Sequence, residues 1–514
     1  MIGILNITSK IIYGFNAKKS QLYLFVPLNK KNSKYYVPFN IRTKTNKYYK
    51  SLSRDIYVLI NHNKYDEHKY PIGNLVEILG CIGDLQIEYN VILHKYGLHY
   101  KNPDKITEFM HNDQSDEHDD LTNLDVISID PLGCNDIDDA VHYRKYNDEI
   151  EVGIHIADVT YYLDKFVHID TAAKQRLSTI YMPNKQINML PNMISTDLCS
   201  LHPLVNKFAV SIIIKLSQDY VVKGYRIVRS VINSRKAYVY DEIENILEGK
   251  QQNEYNVIEL YECACGIMQD MKLNIGSIDK AHKLIEVFMV LANYLVACEL
   301  CARFNYPLLR NHSNVDNVPQ EIIDANIGFL NYMSALYTTD KSNTYHSGLD
   351  VEKYTHFTSP IRRYADIVVH RMLLNNWSET SEQIKELNEL CDKMNELGKK
   401  LNKANRDFEK LKLIDLLGNC EGSEITNAYV IDIDETELIL WLYLPKYKLS
   451  HSSKLFSKKI KHLLDIEYKN HVLRIHNKET DNRLMFSLYD KINVSLITYP
   501  NEKQFNKKLL IYCH

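Results

Sequence analysis

Four aspartates crowd into ten residues of the stretch IDPLGCNDIDDAV: Asp130, Asp136, Asp138 and Asp139. The only basic residues close by are Arg144 and Lys145. Carboxylates this close repel one another and resist burial unless a cation offsets them. Ile129, Ile137, Ala140 and Val141 flank the acids, which sets the loop at the edge of a core. A calcium loop of the EF-hand type requires Glu at its twelfth position. Counting from Asp130 gives Val141 and counting from Asp136 gives Asn147, so that loop is excluded. A hard divalent cation of the Mg2+ type takes oxygen ligands and keeps positions open for water and phosphate. Two such ions can hold the attacking and the leaving oxygen of an in-line displacement. A solvated acidic turn is the alternative.

A second stretch, YTHFTSPIRRYADIVVHR, runs from Tyr354 to Arg371. Its Ser-Pro-Ile-Arg-Arg reads as a helix start, with Ser359 at the cap and Pro360 at the first helical position. Such an N-terminus is a ready anion site. Arg362 and Arg363 then fall in the first turn, where the helix dipole disfavours cations. A bound phosphate explains them; pairing with acidic neighbours is the alternative.

Positioning these groups takes several domains, because 514 residues exceed one ordinary core. The hydrophobic fraction of 45% and charged fraction of 25% are those of a soluble globular protein. With a net charge of −3, a nucleic-acid partner depends on local basic clusters. Residues 1–85 read as a small β-barrel with strands IIYGF, LYLFVPL, YYVPFNI, IYVLINH and LVEILGCIG. There Lys30, Lys31, Lys34, Lys44, Lys47 and Lys50 interleave with Tyr23, Tyr35, Tyr36, Tyr48 and Tyr49, a pattern suited to single-stranded nucleic acid or to a plain solvated face. Residues 86–119 hold the helical LQIEYNVILHKYG and most of the acidic, mobile-type linker HNDQSDEHDDLTN. From 120 to 412 strands alternate with helices in a large mixed α/β body. Val152, Ile154 and Ile156 share one strand face there, while the stretches ending ELCARF and LIDLL read as helices. Residues 418–495 read as a second barrel carrying the basic-aromatic KYKLSHSSKLFSKKIKH, and 496–514 as a tail. The ten cysteines, CxxC of Cys298 and Cys301 included, read as core residues in a reducing compartment. No signal peptide and no run of about eighteen apolar residues stands out, so an intracellular protein with no membrane span is expected.

The pairing of IDPLGCNDIDDAV with YTHFTSPIRRYADIVVHR resembles the ribonuclease II/ribonuclease R family, which includes the exosome's catalytic exonuclease subunit. VGIHIADV, IYMPNKQINMLP, STDLCSLHP, EVFMVLAN and YPLLRNH agree in order and spacing. The resemblance implies an α+β fold: a catalytic RNB domain flanked by a cold-shock-like N-terminal OB barrel and a ribosomal-protein-type C-terminal OB barrel. It implies a processive 3′-to-5′ hydrolytic exoribonuclease that acts on single-stranded RNA by a two-metal mechanism and releases nucleoside 5′-monophosphates. Asp130, Asp136, Asp138 and Asp139 match the family's Mg2+-site aspartates, with Mn2+ as a substitute, and Asp138 matches the one tied most closely to cleavage. Arg362 matches the arginine on the scissile phosphate, and Tyr181 the aromatic that stacks on the 3′-terminal bases. His155, Arg310, His312 and Arg363 match substrate-side positions without assigned individual roles.

The chain departs from the pattern at Asn405 and Val287, where relatives carry Glu. One N-terminal barrel is expected where relatives often have two, and no N-terminal endonuclease domain. A degenerate, non-catalytic RNA-binding protein of the same fold is the alternative, and a DNA-directed metal nuclease a third. The cytoplasm is the expected compartment, with a nuclear or virus-encoded protein left open and no complex partner specified.

Overall fold

The apolar strand EVGIHIADV and the β-branched run VSIII build the centre of the molecule. The computed structural model describes the chain apart from residues 17, 41–52, 63–69, 101–117, 147–148, 278, 314–333, 375–376, 419–423, 457 and 514. It sets Glu149–Ala157 and Asn206–Leu216 side by side in a six-stranded sheet. The strand order is Asn206–Leu216, Glu149–Ala157, Asp139–Tyr146, Val126–Asp130, Val222–Val239, Asp119–Asp120. The strand Val222–Val239 is long enough to pair antiparallel with Asn206–Leu216 through its first part and parallel with Val126–Asp130 through its end, so the ladder closes on itself. Every residue from Val152 to Ala157 is buried, not one face alone, because helices cover the sheet.

The chief covering helix is Lys280–Arg303. It is long and apolar enough to cross a bilayer by composition, yet Val287, Phe288, Leu291, Leu295 and Val296 pack in the core. The helix Ser381–Leu417 starts with a capping box at Thr380 and Gln383 and ends at Gly418. The helix Leu85–Tyr96 is capped by Asp84 and stopped by the left-handed Gly97.

The N-terminal barrel is an antiparallel sheet in the order Tyr35–Pro38, Leu22–Pro27, Ile2–Leu5, Ile56–His62, Gly73–Cys81. Its central strand is Ile2–Leu5, whereas IIYGF is no strand: Ile11, Ile12 and Phe15 are exposed. Lys44, Lys47, Lys50, Tyr48 and Tyr49 lie outside the described residues, as does most of the acidic linker. Tyr23, Tyr35 and Tyr36 are buried: Tyr23 and Tyr35 join the barrel core, and Tyr36 packs against Tyr13 and Tyr70.

The C-terminal barrel pairs the sheet of Glu424–Asp434, Ile439–Leu444, Leu449–Lys454, Lys491–Thr498 and Leu509–Cys513 with a three-stranded sheet, Leu464–Lys469, Val472–Asn477 and Arg483–Ser487. Residues 496–514 are therefore not a tail. Leu509 and Ile511 alternate into the core, and Leu509–Cys513 pairs with Lys491–Thr498 as an edge strand. The nine cysteines among the described residues are all free.

The two barrels meet directly. Lys508 of the C-terminal barrel is 1% exposed and pairs with buried Glu88 at 3.0 Å. Glu88 also accepts from Gly83 N at 3.0 Å and from Tyr57. Lys503 pairs with buried Asp55, which holds Thr8 of the N-terminal barrel.

Candidate active site

The acidic loop leaves the sheet at Asp130, the last residue of Val126–Asp130, and rejoins it at Asp139. Those two strands pair only at Ile127 and Val141, so they splay where the loop begins. Gly133, at φ 82°, supplies the turn. The loop is then pinned: Ser200 Oγ accepts from Ile137 N at 3.0 Å, Leu201 N donates to Ile137 O at 3.1 Å, and Ala157 N donates to Asp138 O at 2.9 Å.

The SPIRR segment faces this loop, but not as a helix start. The helix begins at Tyr364, and Ser359–Arg363 is a turn before it. The reason lies far away in the chain. Asp138 Oδ1 accepts the Ile361 amide at 2.9 Å, and its Oδ2 accepts from Arg362 Nε at 3.0 Å. The amide expected to cradle a phosphate is thus taken by a carboxylate of the protein. Arg362 Nη2 also donates to Ser359 Oγ at 2.8 Å, while the side chain stays 42% exposed towards the cleft. Arg363 pairs with the fully buried Asp366 at 2.8 Å, and the same Asp366 oxygen accepts Ser359 N at 2.7 Å. Both arginines therefore have acidic partners.

Asp130, Asp136, Asp138, Asp139, Tyr181, Arg362 and Arg363 all line one cleft of about 530 Å³. Tyr181 is 47% exposed at its wall. Backbone bonds tie its strand to the arginine: Thr179 N donates to Arg362 O at 3.0 Å, and Tyr364 N to Leu177 O at 2.9 Å. Burial raises the Asp130 carboxyl to about 6 and the Asp138 carboxyl to about 7, the latter despite Arg362. Burial, then Asp130 and Asp138, hold Asp139 well above its ordinary value. Asp130 Oδ2 is buried with no hydrogen-bond partner. The cleft is short of positive charge.

An all-oxygen donor set with an unpartnered buried carboxylate oxygen fits a hard divalent cation. Among the described residues, no three such side chains gather closely enough to hold one as they stand. Asp138 is turned to Arg362 and Ile361.

The other expected residues fall elsewhere. His155 is not at the cleft. It is fully buried in the sheet, its Nε2 bonded to His142 at 2.8 Å and its Nδ1 to Ser211 at 2.6 Å. Arg310 lies over the Tyr337 ring at 4.7 Å and lines a neighbouring cavity of about 200 Å³, which Arg363 also borders. His312 is buried beside His346 and accepts Gly348 N at 3.2 Å. Asn405 is exposed on Ser381–Leu417, and Val287 is in the core.

Two residues that the sequence reading passed over line the cleft, Glu286 and Asn293. Glu286 stands one position before Val287 and accepts from Ser277 N at 3.2 Å. Asn293 Oδ1 accepts Phe357 N at 2.8 Å and its Nδ2 donates to Tyr354 at 3.0 Å, which fixes the segment leading to the arginines. The signal was a Glu and an Asn seven apart in the apolar middle of the helix, where spacing of this kind shares a face.

Two barrels of the OB type around a sheet-and-helix body, with an acidic cleft opposed by arginine, define an α+β protein. The RNB domain family matches residues 118–379, and the Dis3-like cold-shock domain 2 matches residues 22–97. The chain belongs to the RNB-domain family of ribonuclease II and ribonuclease R. It is 28% identical over 444 residues to ribonuclease R of Chlamydia pneumoniae, covering 72% of this chain and 65% of that one. It is 27% identical over 530 residues to the exosome complex exonuclease RRP44 of Mus musculus, covering 85% and 54%. The chain thus spans less than two thirds of the length of these relatives. Its fold is similar to Mycoplasma genitalium RNase R in complex with ribose-methylated single-stranded RNA, with a TM-score of 0.77, 18% identity and full coverage of both chains. It is also similar to yeast Ssd1, described as a pseudonuclease, with a TM-score of 0.73, 17% identity and coverage of 100% and 82%. The fold alone therefore does not separate an active nuclease from an inactive one.

Proposed function

We propose that the chain is a 3′-to-5′ hydrolytic exoribonuclease that acts on single-stranded RNA ends and releases nucleoside 5′-monophosphates. One observation carries this reading: four aspartates, Arg362 and Tyr181, from stretches far apart in sequence, line a single cleft. Asp130, Asp136, Asp138 and Asp139 would hold divalent cations, Mg2+ or Mn2+. Held there, such ions would supply activation of a water and charge compensation at the departing 3′ oxygen. The rest belongs to the chain's own groups. Asp138 fixes the Nε edge of Arg362, so the outer edge of the guanidinium is aimed into the cleft for a phosphate oxygen. Tyr181 offers an exposed ring for a terminal base, which fixes register without reading sequence. Asp366 holds Arg363 and the Ser359 amide, so the turn that presents Arg362 is rigid.

A second reading, an RNA-binding protein without hydrolysis, is favoured by the engagement of Asp138 with Arg362 and Ile361. One assay decides. Labelled single-stranded RNA and a duplex with a 3′ overhang are incubated with the chain and Mg2+, or with Mn2+. Nucleoside monophosphates accumulating from the 3′ end, and lost in Asp138→Asn with RNA binding retained, support the exonuclease. Salt-sensitive binding with intact RNA supports the second reading.

A further inference from the structure

The long strand Val222–Val239 ends in register with the strand that carries Asp130, Val239 facing Asp130 itself. The next residue, Tyr240, opens the helix Tyr240–Leu247. The backbone thus delivers the Tyr240 ring to the wall of the acidic cleft, near Asp130 and Asp139. One face of that ring is already covered. His282, from the start of the helix Lys280–Arg303, lies flat against it, with ring centres 3.7 Å apart and planes 24° from parallel. His282 does not itself line the cleft.

The imidazole is held in turn. Asp279, the cap of its helix, accepts His282 N at 2.9 Å and His282 Nδ1 at 2.6 Å through one carboxylate oxygen. Those two bonds, the amide's first, keep the Asp279 carboxyl below its ordinary value, so it is the acceptor and Nδ1 carries the hydrogen. A ring tied at Nδ1 cannot turn without breaking that bond, so it presents one plane to Tyr240. The two helices are fastened at the same corner, where Glu244 Oε1 accepts Ala281 N at 2.6 Å. Glu286, four residues after His282 and therefore on the same helix face, lines the cleft. Stability does not explain this clasp. His282 and Asp279 are half exposed, at 47% and 48%, and a pair so placed adds little to folding. What it determines is where one aromatic wall of the cleft stands. An unsupported tyrosine samples several rotamers and must be immobilised when a ligand binds, whereas a stacked one has already lost that freedom.

We infer that His282, clasped by Asp279, is a positioning residue for the 3′-terminal nucleotide: it acts through Tyr240, whose ring it holds in one orientation at the cleft wall. The inference rests on the proposed binding of RNA 3′ ends in this cleft, and not on hydrolysis there. His282 makes no contact with the nucleotide, so any flat ring that stacks as well takes its place.

The test is binding by the full chain in chelator, where hydrolysis plays no part. The probe is oligoadenylate of about ten nucleotides with 2-aminopurine at its 3′ end, whose emission reports stacking of the terminal base. His282→Ala is expected to weaken binding about threefold to tenfold, the cost of ordering one ring, and to leave the bound 2-aminopurine brighter. His282→Phe rebuilds the stack and is expected within about twofold of the wild-type affinity. In a Tyr240→Ala background, adding His282→Ala is expected to change affinity no further, because the effect passes through the tyrosine. Melting temperature checks that each variant folds; if His282→Ala does not, His282→Gln stands in for it under the same outcomes. Unchanged affinity and emission in a folded ringless variant overturns the inference. So does an equal loss in the Tyr240→Ala background, or a His282→Phe variant that restores neither quantity. If the binding results are as expected but no monophosphate is released in Mg2+, this inference stands and the exonuclease reading fails. No RNA binding by the wild type overturns both.

Discussion

Asp138→Asn separates the structural from the functional role of the acidic cleft. Asp138 is 4% exposed, and even with Arg362 at 3.0 Å and the Ile361 amide at 2.9 Å its carboxyl is held near 7. Against an ordinary value near 4, that is about 3 units, or about 4 kcal/mol that ionised Asp138 takes from folding above pH 7. Asparagine removes the charge and keeps an oxygen for the Ile361 amide. It loses the charge-assisted bond to Arg362, about 2 kcal/mol, though that guanidinium is exposed enough to find water. Relief of the first outweighs loss of the second, so the variant is expected to be as stable as the wild type, or more stable by about 2 kcal/mol. Hydrolysis of the RNA 3′ end, by contrast, is expected to fall at least about a hundredfold. Urea unfolding at pH 8 in chelator reads the first quantity, and release of labelled monophosphate in Mg2+ reads the second. A loss of stability above about 4 kcal/mol makes the Asp138–Arg362 pair a strut and refutes the reasoning. So does a folded variant that still cleaves at the wild-type rate.

Without divalent cations, the raised carboxyls of Asp130 and Asp138 cost nothing below about pH 4, and their burden grows as pH rises towards their folded values of about 6 and 7. Mg2+ should therefore raise the melting temperature more at pH 8 than at pH 5; equal increments at the two pH values contradict a carboxylate cation site. Glu88→Gln leaves Lys508 buried without its counter-charge and should lose about 3–5 kcal/mol, most of it regained in the double variant Glu88→Gln/Lys508→Met. Additive losses in that cycle, measured by urea unfolding, would show that the two groups do not act as a pair. Tyr181→Ala should weaken binding of a short RNA by about 1–3 kcal/mol with little change in melting temperature, since the ring is half exposed; unchanged affinity in chelator removes the stacking role.

How much of this was legible in the sequence depended on how local each cause was. The helix Leu85–Tyr96 was readable because Asp84, the periodic core residues and Gly97 are neighbours. The acidic loop was readable because four like charges beside apolar residues demand an explanation wherever they fold. The start of the helix at Tyr364 was not, because the bond that holds the preceding turn comes from Asp138, 223 residues away. Propensity favoured Ser359 as the cap, and a long-range carboxylate prevailed. IIYGF scored as a strand on composition, but the place beside Leu22–Pro27 went to the shorter Ile2–Leu5. The last strand, Leu509–Cys513, was hidden by its charged approach, NEKQFNKK, although Leu509 and Ile511 carry the two-residue period. His155 matched a motif whose histidine here serves the sheet interior.

Tyr181 and Arg362 belong to segments joined by main-chain bonds at Thr179 and Tyr364. Their separation is therefore a property of the backbone, like the gap between the jaws of a calliper. Exchanging side chains on either jaw alters grip but leaves the gap unchanged. Only inserting or deleting residues between Leu177 and Tyr181 would reset it, and with it, on the proposed function, the number of nucleotides that would fit between the ring and the guanidinium.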